Sequence, residues 1–359
     1  MSYPNWDQVK KDSFGGAIMR DPDLPMIDDE TPTFLGRPLA KSVKDLEGAD
    51  IVIIGSAYVA ATEEYAGVPV ADWAAAAKRV RQQSCRYRSG YIQDFDIDVF
   101  EHLNVVDYGD APVPESCQHE QTAESILEAQ ANVEAMVNDA LSVGAIPIVI
   151  GQNSPCSSFA IAKSISEATD GNVGQISLDT HWDSGHLDAL TEDPRIAGSG
   201  SWKYKAYEFL ENFHYRNLVE IGERGMLEYK DNIRRILADG AHFYPMWKIR
   251  RGLGVEGVCE ELYHAYEGTD GVYVHFDMDV LGGAGPVNGD ILGELAEPIG
   301  MTDYEAIRIA NEIGRRGLTG MSFICIPPGS KIVYRVIVYI IMYLMAGMVE
   351  SRNAENLTP

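Results

Sequence analysis

The chain has 359 residues, 45% of them apolar, and sets 29 Lys and Arg against 54 Asp and Glu for a formal charge of −25. That length allows one large α/β domain or two small ones with a sizeable core. The charge repels nucleic acid and anionic lipid and suits cationic substrates, so a soluble protein with no nucleic-acid and no membrane partner is expected; a solvated acidic surface is a plainer reading of the charge than a cationic substrate.

The N-terminus, Met1-Ser-Tyr-Pro-Asn-Trp-Asp7, has neither a basic start nor an apolar stretch, and no signal peptide is read there. Residues 1–45 carry Pro4, Pro22, Pro25, Pro32 and Pro38 with little periodicity, which predicts an extended arm lying on the domain or on a neighbouring subunit. Residues 46–359 then form one domain, with no linker, internal repeat or low-complexity tract. The five cysteines, Cys85, Cys117, Cys156, Cys259 and Cys325, are odd in number and lack C-x-x-C spacing, which argues against a disulfide framework or zinc knuckle and for a reducing cytoplasm.

Eight apolar runs are predicted as strands: Ile51–Gly55, Leu103–Asp107, Ile146–Ile150, Val173–Asp179, Leu218–Gly222, His242–Pro245, Gly271–Asp277 and Ser322–Ile326. Helical stretches separate them, which predicts a three-layer α/β/α fold around an eight-stranded, mainly parallel sheet. Ile126, Val133, Met136, Val137, Ala140 and Leu141 recur at three- and four-residue steps and predict a helix over Thr122 to Ser142, ended by Gly144. The apolar run Val333 to Val349 is interrupted at its start by Arg335 and falls short of the roughly 20 residues that span a bilayer, so it reads as a buried helix.

Ligands of open parallel sheets bind beyond the carboxyl ends of strands, so the segments after Ile150, Leu178 and Phe276 are expected over one edge. Two acidic runs lie there, Asp179-Thr-His181-Trp-Asp183 and Asp277-Met-Asp279. Side chains at alternate positions of an extended segment point the same way, so Asp179, His181 and Asp183 converge, as do Asp277 and Asp279. Carboxylates beside an imidazole suit divalent ions such as manganese, nickel or zinc. Helix caps or acidic turns are the plainer reading of one such run, and a second run after a second apolar strand argues against it.

With these runs in order, the chain resembles the ureohydrolases, the arginase and agmatinase family, from about Gly55 to the C-terminal helix. The resemblance rests on Val105-Val-Asp-Tyr-Gly-Asp110, on Asp179-Thr-His-Trp-Asp183 for the family's D-A-H-x-D, on Ile221-Gly-Glu-Arg-Gly225 for its I-G-x-R-G, and on Phe276-Asp-Met-Asp279 for its F-D-x-D. It implies an arginase-like fold that hydrolyses guanidino compounds over two metal ions. Asp179 and Asp277 would bridge the ions, His181 and Asp279 would complete one site, and Asp183 would serve the other.

The sequence departs from the family at its chemical positions. Where G-G-D-H-S supplies an imidazole, this chain reads Gly151-Gln-Asn-Ser-Pro155, with Ser154 in the histidine's place, so one ion or none is expected. The S-H-G histidine, which shuttles a proton, maps near Ser199-Gly-Ser-Trp202, and the acid of V-E-V-x-P, which pairs with the substrate guanidinium, maps onto Cys325. The D-P after F-D-x-D-x-x is replaced by Gly282-Gly283. His275 or His186 can in principle replace the lost imidazole; the plainer reading is a satisfied core histidine and a solvated one. Cys325 and Cys156 read as small buried residues rather than nucleophiles.

The pattern is similar to the degenerate partner in two-chain, nickel-dependent metformin hydrolases, which implies a heterohexamer with a catalytically intact paralogue that converts metformin to guanylurea and dimethylamine. Two other readings stay open: an autonomous ureohydrolase with an altered metal site, and a binding protein for a guanidine-like cation. Nickel and manganese are not separated by oxygen and imidazole ligands alone.

Overall fold

A computed structural model describes residues 23–65, 67–185, 195–224, 228–282, 298–329 and 331–356. Eight strands form one sheet: β1 (Ile51–Ser56), β2 (Val105–Ala111), β3 (Ile146–Ile150), β4 (Val173–Leu178), β5 (Phe213–Ile221), β6 (His242–Tyr244), β7 (Gly271–Asp277) and β8 (Gly320–Ile324). Their spatial order is β6-β5-β4-β7-β8-β3-β1-β2, and every neighbouring pair is parallel. All eight predicted runs are therefore strands of a single sheet. The ends differ most at β2, which starts at Val105 and runs on to Ala111, and at β5, which starts five residues ahead of the apolar Leu218 run at Phe213.

Helices cover both faces, as a parallel sheet requires. Alternation along a strand divides the core: Ile51 and Ile53 face one cluster, Val52 and Ile54 the other. Helices α1 (Ala76–Ser84), α2 (Ala123–Ser142), α3 (Phe159–Ala168), α4 (Trp202–Phe209), α5 (Lys230–Ala238), α6 (Gly254–Glu261), α7 (Asp303–Arg316) and α8 (Lys331–Asn356) fill these layers. Residues of α1, α6, α7 and α8 pack with Ile51 and Ile53; residues of α2, α3 and α4 pack with Val52 and Ile54.

The α2 helix begins where Thr122 accepts the Ser125 amide and Ser125 returns a bond to the Thr122 amide, a reciprocal cap that satisfies two donors with no helical partner. The α8 helix is apolar enough over Ile332–Ala354 to cross a bilayer, with a mean hydropathy of 2.1, yet 78% of that window is buried in the protein. It is a core helix: Ile337, Ile340, Ile341, Leu344 and Met345 are fully buried against the sheet layer.

Among residues ahead of β1, Phe34 and Leu35 are also buried in that core. The Phe34 amide donates to Asp107 at the sheet edge, 2.7 Å away, and Leu39 pairs with Asp107 as an isolated parallel bridge. Asp107 is held in turn by the fully buried Arg81, whose Nε and Nη2 donate to its two oxygens at 2.9 and 3.0 Å.

Candidate metal centre

The site is built by register. The pairing of β7 with β4 sets His275 beside Ser177 and Phe276 beside Leu178, so the next step along both strands brings Asp277 beside Asp179. The pairing of β4 with β5 sets Ser177 beside Glu220. Tyr273, His275 and Asp277 share one face of β7, Ser177 and Asp179 the same face of β4, and α4 packs over that face. Trp202 and Lys203, in the first turn of α4, therefore descend onto the carboxyl ends of the central strands.

Two of the five predicted metal ligands, Asp179 and Asp277, are fixed by bonds to the turns after their own strands. Asp179 accepts the His181 amide at 2.8 Å, and Asp277 accepts the Asp279 amide at 2.8 Å. The two runs are then laced together: the Thr180 amide donates to Asp279 Oδ1 at 3.2 Å, and the Thr180 hydroxyl donates to the Asp279 carbonyl at 2.8 Å. Arg224, from the loop after β5, clamps the second run by donating to the carbonyls of Asp279 (2.8 Å) and Val280 (3.1 Å).

Ligand atoms gather in two sets. Asp179, Asp183, His275 and Asp277 each offer one atom within 4.8 Å of the others, and Asp179, His181 and Asp279 form a second set on the same criterion. Asp179 belongs to both. His181 Nδ1 stands 3.1 Å from Asp279 Oδ2. The structure thus brings together all five predicted ligands and adds His275, which is fully buried. Ser154 is buried in the loop after β3, and its hydroxyl has no partner among the described residues. His186 lies outside the described residues.

The electrostatics of these groups fit a cation. Burial, then the neighbouring carboxylates Asp279 and Asp179, pushes Asp277 well above the ordinary carboxylate range. Burial and Asp179 do the same to Asp183. Concentrated acids with little solvent are costly unless a positive charge joins them. The donor chemistry, carboxylates with an imidazole, is that of manganese, nickel or zinc.

Two further residues were not signalled by the sequence. Lys203 is wholly buried and donates to Glu220 Oε1 at 2.8 Å, to Asp179 Oδ2 at 3.2 Å and to the His181 carbonyl at 3.4 Å. Burial opposes its charge, and Glu220 and Asp179 more than offset that, holding the amine protonated. Glu220 is the one acidic residue of β5, between the apolar Val219 and Ile221; Lys203 sits in a short helix whose sequence gives no hint of burial. Trp202 covers the same spot, its indole donating to Asp183 Oδ2 at 3.2 Å and its ring lying 4.4 Å from the His275 ring.

Cys325 occupies the turn after β8 with φ at +51°, and its thiol faces Asp277. Burial and the Asp277 and Asp279 charges push that thiol well up, so it stays neutral. Gln152 fixes the turn from both sides: its carbonyl accepts the Cys325 amide at 3.0 Å and its side chain exchanges two bonds with Ile326.

An eight-stranded parallel sheet between helical layers, with Asp and His ligands at the ends of adjacent central strands, is the architecture of the ureohydrolases. The sequence matches the arginase family over residues 49–346, most of its length, and the chain belongs to that family. By sequence alone, no curated protein is a match.

Solved structures agree on the fold. A hypothetical agmatinase from Burkholderia thailandensis superposes with a TM-score of 0.70 at 19% identity, covering 94% of this chain and 98% of its own. The formimidoylglutamase of Bacillus subtilis gives 0.71 at 17% identity, over 92% and 96%. A Trypanosoma cruzi formiminoglutamase solved with Mn2+ gives 0.69 at 22% identity, over 89% and 98%.

Proposed function

We propose that this chain is a non-catalytic subunit of a heteromeric amidinohydrolase, paired with an intact ureohydrolase paralogue in a heterohexamer that hydrolyses a guanidine or biguanide C–N bond, such as that of metformin. The observation that carries this reading is Cys325. A neutral thiol beside Asp277 stands where the family resemblance places the carboxylate that pairs with a guanidinium cation. A thiol supplies neither the charge nor the bidentate acceptor geometry that a guanidinium prefers.

Lys203 supports the reading. Its ammonium is fixed 3.2 Å from Asp179, beneath the carboxylates that would face a cationic substrate. That contact takes up part of the Asp179 charge which a guanidinium would otherwise meet. Near Ser199–Trp202 the indole of Trp202 is turned onto Asp183 and His275, the place where the resemblance sets a proton-shuttling histidine.

Asp179, Asp183, His275 and Asp277, with His181 and Asp279, would hold nickel or manganese. Bound there, such an ion supplies Lewis acidity and lowers the pKa of bound water. What the chain's own residues do is hold and orient: Thr180 and Arg224 fix the second acidic run, Trp202 shields the floor from water, and Lys203 balances Asp179 and Glu220.

The experiment is an assay for dimethylamine release from metformin and for urea release from agmatine, with the pure chain, a pure paralogue and the mixture, each loaded with Ni2+ or Mn2+. The pure chain is expected to be inactive and the mixture to exceed the paralogue alone. Turnover by the pure chain that disappears in Asp179→Ala would establish instead an autonomous ureohydrolase with an altered metal site.

A further inference from the structure

We infer that His275 supplies the imidazole that Ser154 lacks, so that Asp179, Asp183, His275 and Asp277 form a divalent-cation site whose nitrogen ligand comes from strand β7. The inference rests on the metal-holding part of the proposed function and is independent of whether the chain turns over a substrate.

The first observation is position. His275 is fully buried, and its Nε2 has no hydrogen-bond partner among the described residues. Its close approach is to Asp179 Oδ2 at 3.8 Å, too long for a hydrogen bond and within the span of two atoms sharing an ion. Asp183 and Asp277 each place an oxygen within 4.8 Å of the other ligand atoms in this set.

The second observation is the hydrogen-bonded chain behind the ring. The Tyr273 hydroxyl donates to the Ser158 carbonyl at 3.3 Å, and a carbonyl only accepts. With the one phenol proton given to Ser158, the Ser322 hydroxyl, 2.6 Å away, is the donor of its pair with the tyrosine oxygen. The Ser322 oxygen then accepts the proton of His275 Nδ1 at 3.4 Å. This chain of donors leaves the Nε2 lone pair directed at three carboxylates. Lone pair and carboxylate oxygens repel one another unless a cation or a proton donor lies between them.

The hydroxyl behind Nδ1 serves as the outer partner that ligating histidines usually have: it sets the tautomer and holds the ring plane. Trp202 packs 4.4 Å from the other side of the imidazole and restricts its rotation. Lys203 does not exclude an ion here, because it is shared with Glu220 at 2.8 Å, and three carboxylates remain to offset a divalent charge.

The test uses the full chain stripped with a chelator and titrated with MnCl2 or NiCl2, read by calorimetry and by metal content after desalting. Wild type is expected to retain bound ion. His275→Ala should lose one equivalent per chain, with an affinity loss at least as large as the roughly 10- to 100-fold caused by outer partners. Ser322→Ala should weaken binding by about 10-fold, the lower end of that range, and keeps the test decisive if His275→Ala fails to fold. Equal stoichiometry and affinity in wild type and His275→Ala would overturn the inference, as would no retained ion in wild type, or a loss that follows His181→Ala alone. Turnover by the pure chain would refute the non-catalytic reading and leave this binding result unchanged.

Discussion

Lys203 shows how one side chain can redefine an acidic site. It and Glu220 are both fully buried at 2.8 Å, and Asp179 completes a three-way contact at 3.2 Å. Removing one partner of such a group strands the others without solvent, so Lys203→Met should cost about 3–5 kcal/mol in urea unfolding. Replacing Glu220 as well, in Lys203→Met with Glu220→Leu, should recover the part of the loss owed to Glu220 and leave the part owed to Asp179. A single variant as stable as wild type would show that Asp179 and Glu220 are not charged in the folded chain. Gly222, beside this group, has φ at +103°, and a Cβ there would stand 2.3 Å from Val280 Cγ2. Gly222→Ala is expected to lower stability by about 1–3 kcal/mol by strain and overpacking.

Helices α7 and α8 illustrate the same tightness between elements. A Cβ on Gly314 would lie 2.0 Å from the Leu344 carbonyl, and one on Gly347 would lie 2.1 Å from the Asn311 carbonyl. Backbone cannot yield as a flexible side chain can, so Gly347→Ala should cost about 1–3 kcal/mol, measured as a lowered urea midpoint with an unchanged slope. The strands and α8 were legible in the sequence because each needs only a local pattern: an apolar run between helical stretches, or an apolar helix broken by Arg335. The ligands Asp179, His181, Asp183, Asp277 and Asp279 were legible as two acidic runs closing apolar strands, but turns rather than extended alternation gather them: β4 ends at Leu178, Met278–Val280 is a 3-10 turn, and the members of each run divide between the two ligand sets. Lys203 and Glu220 meet only because α4 packs over β4 and β5, a contact between segments that no spacing within either of them encodes. His275 was visible as a candidate, and the register of β7 against β4, with the Tyr273–Ser322 pair behind it, is what turns its Nε2 toward the acids.

Over the whole molecule, the strand order places β4, β7 and β8 at the middle of the sheet, so acidic runs separated by nearly a hundred residues in the chain share one edge. At the outer strand of the sheet, the buried Arg81 of α1 ties Asp107 and Asp110 of β2, at 2.9 and 2.5 Å. Arg81→Met should strand Asp107 in the core and lower stability by about 3–5 kcal/mol, visible in urea unfolding of the full chain. On the proposed reading, a scaffold packed at this level, with its Asp and His set gathered and Cys325 in the turn after β8, is what a partner subunit needs: it must fold and assemble, and it need not react. The most direct measurement is dimethylamine release from metformin by the metal-loaded chain, alone and mixed with an intact ureohydrolase paralogue. The account predicts no release by the chain alone and more release from the mixture than from the paralogue alone, carried by a species containing both chains. Release by the pure chain, proportional to its concentration and lost in Asp179→Ala, would contradict it.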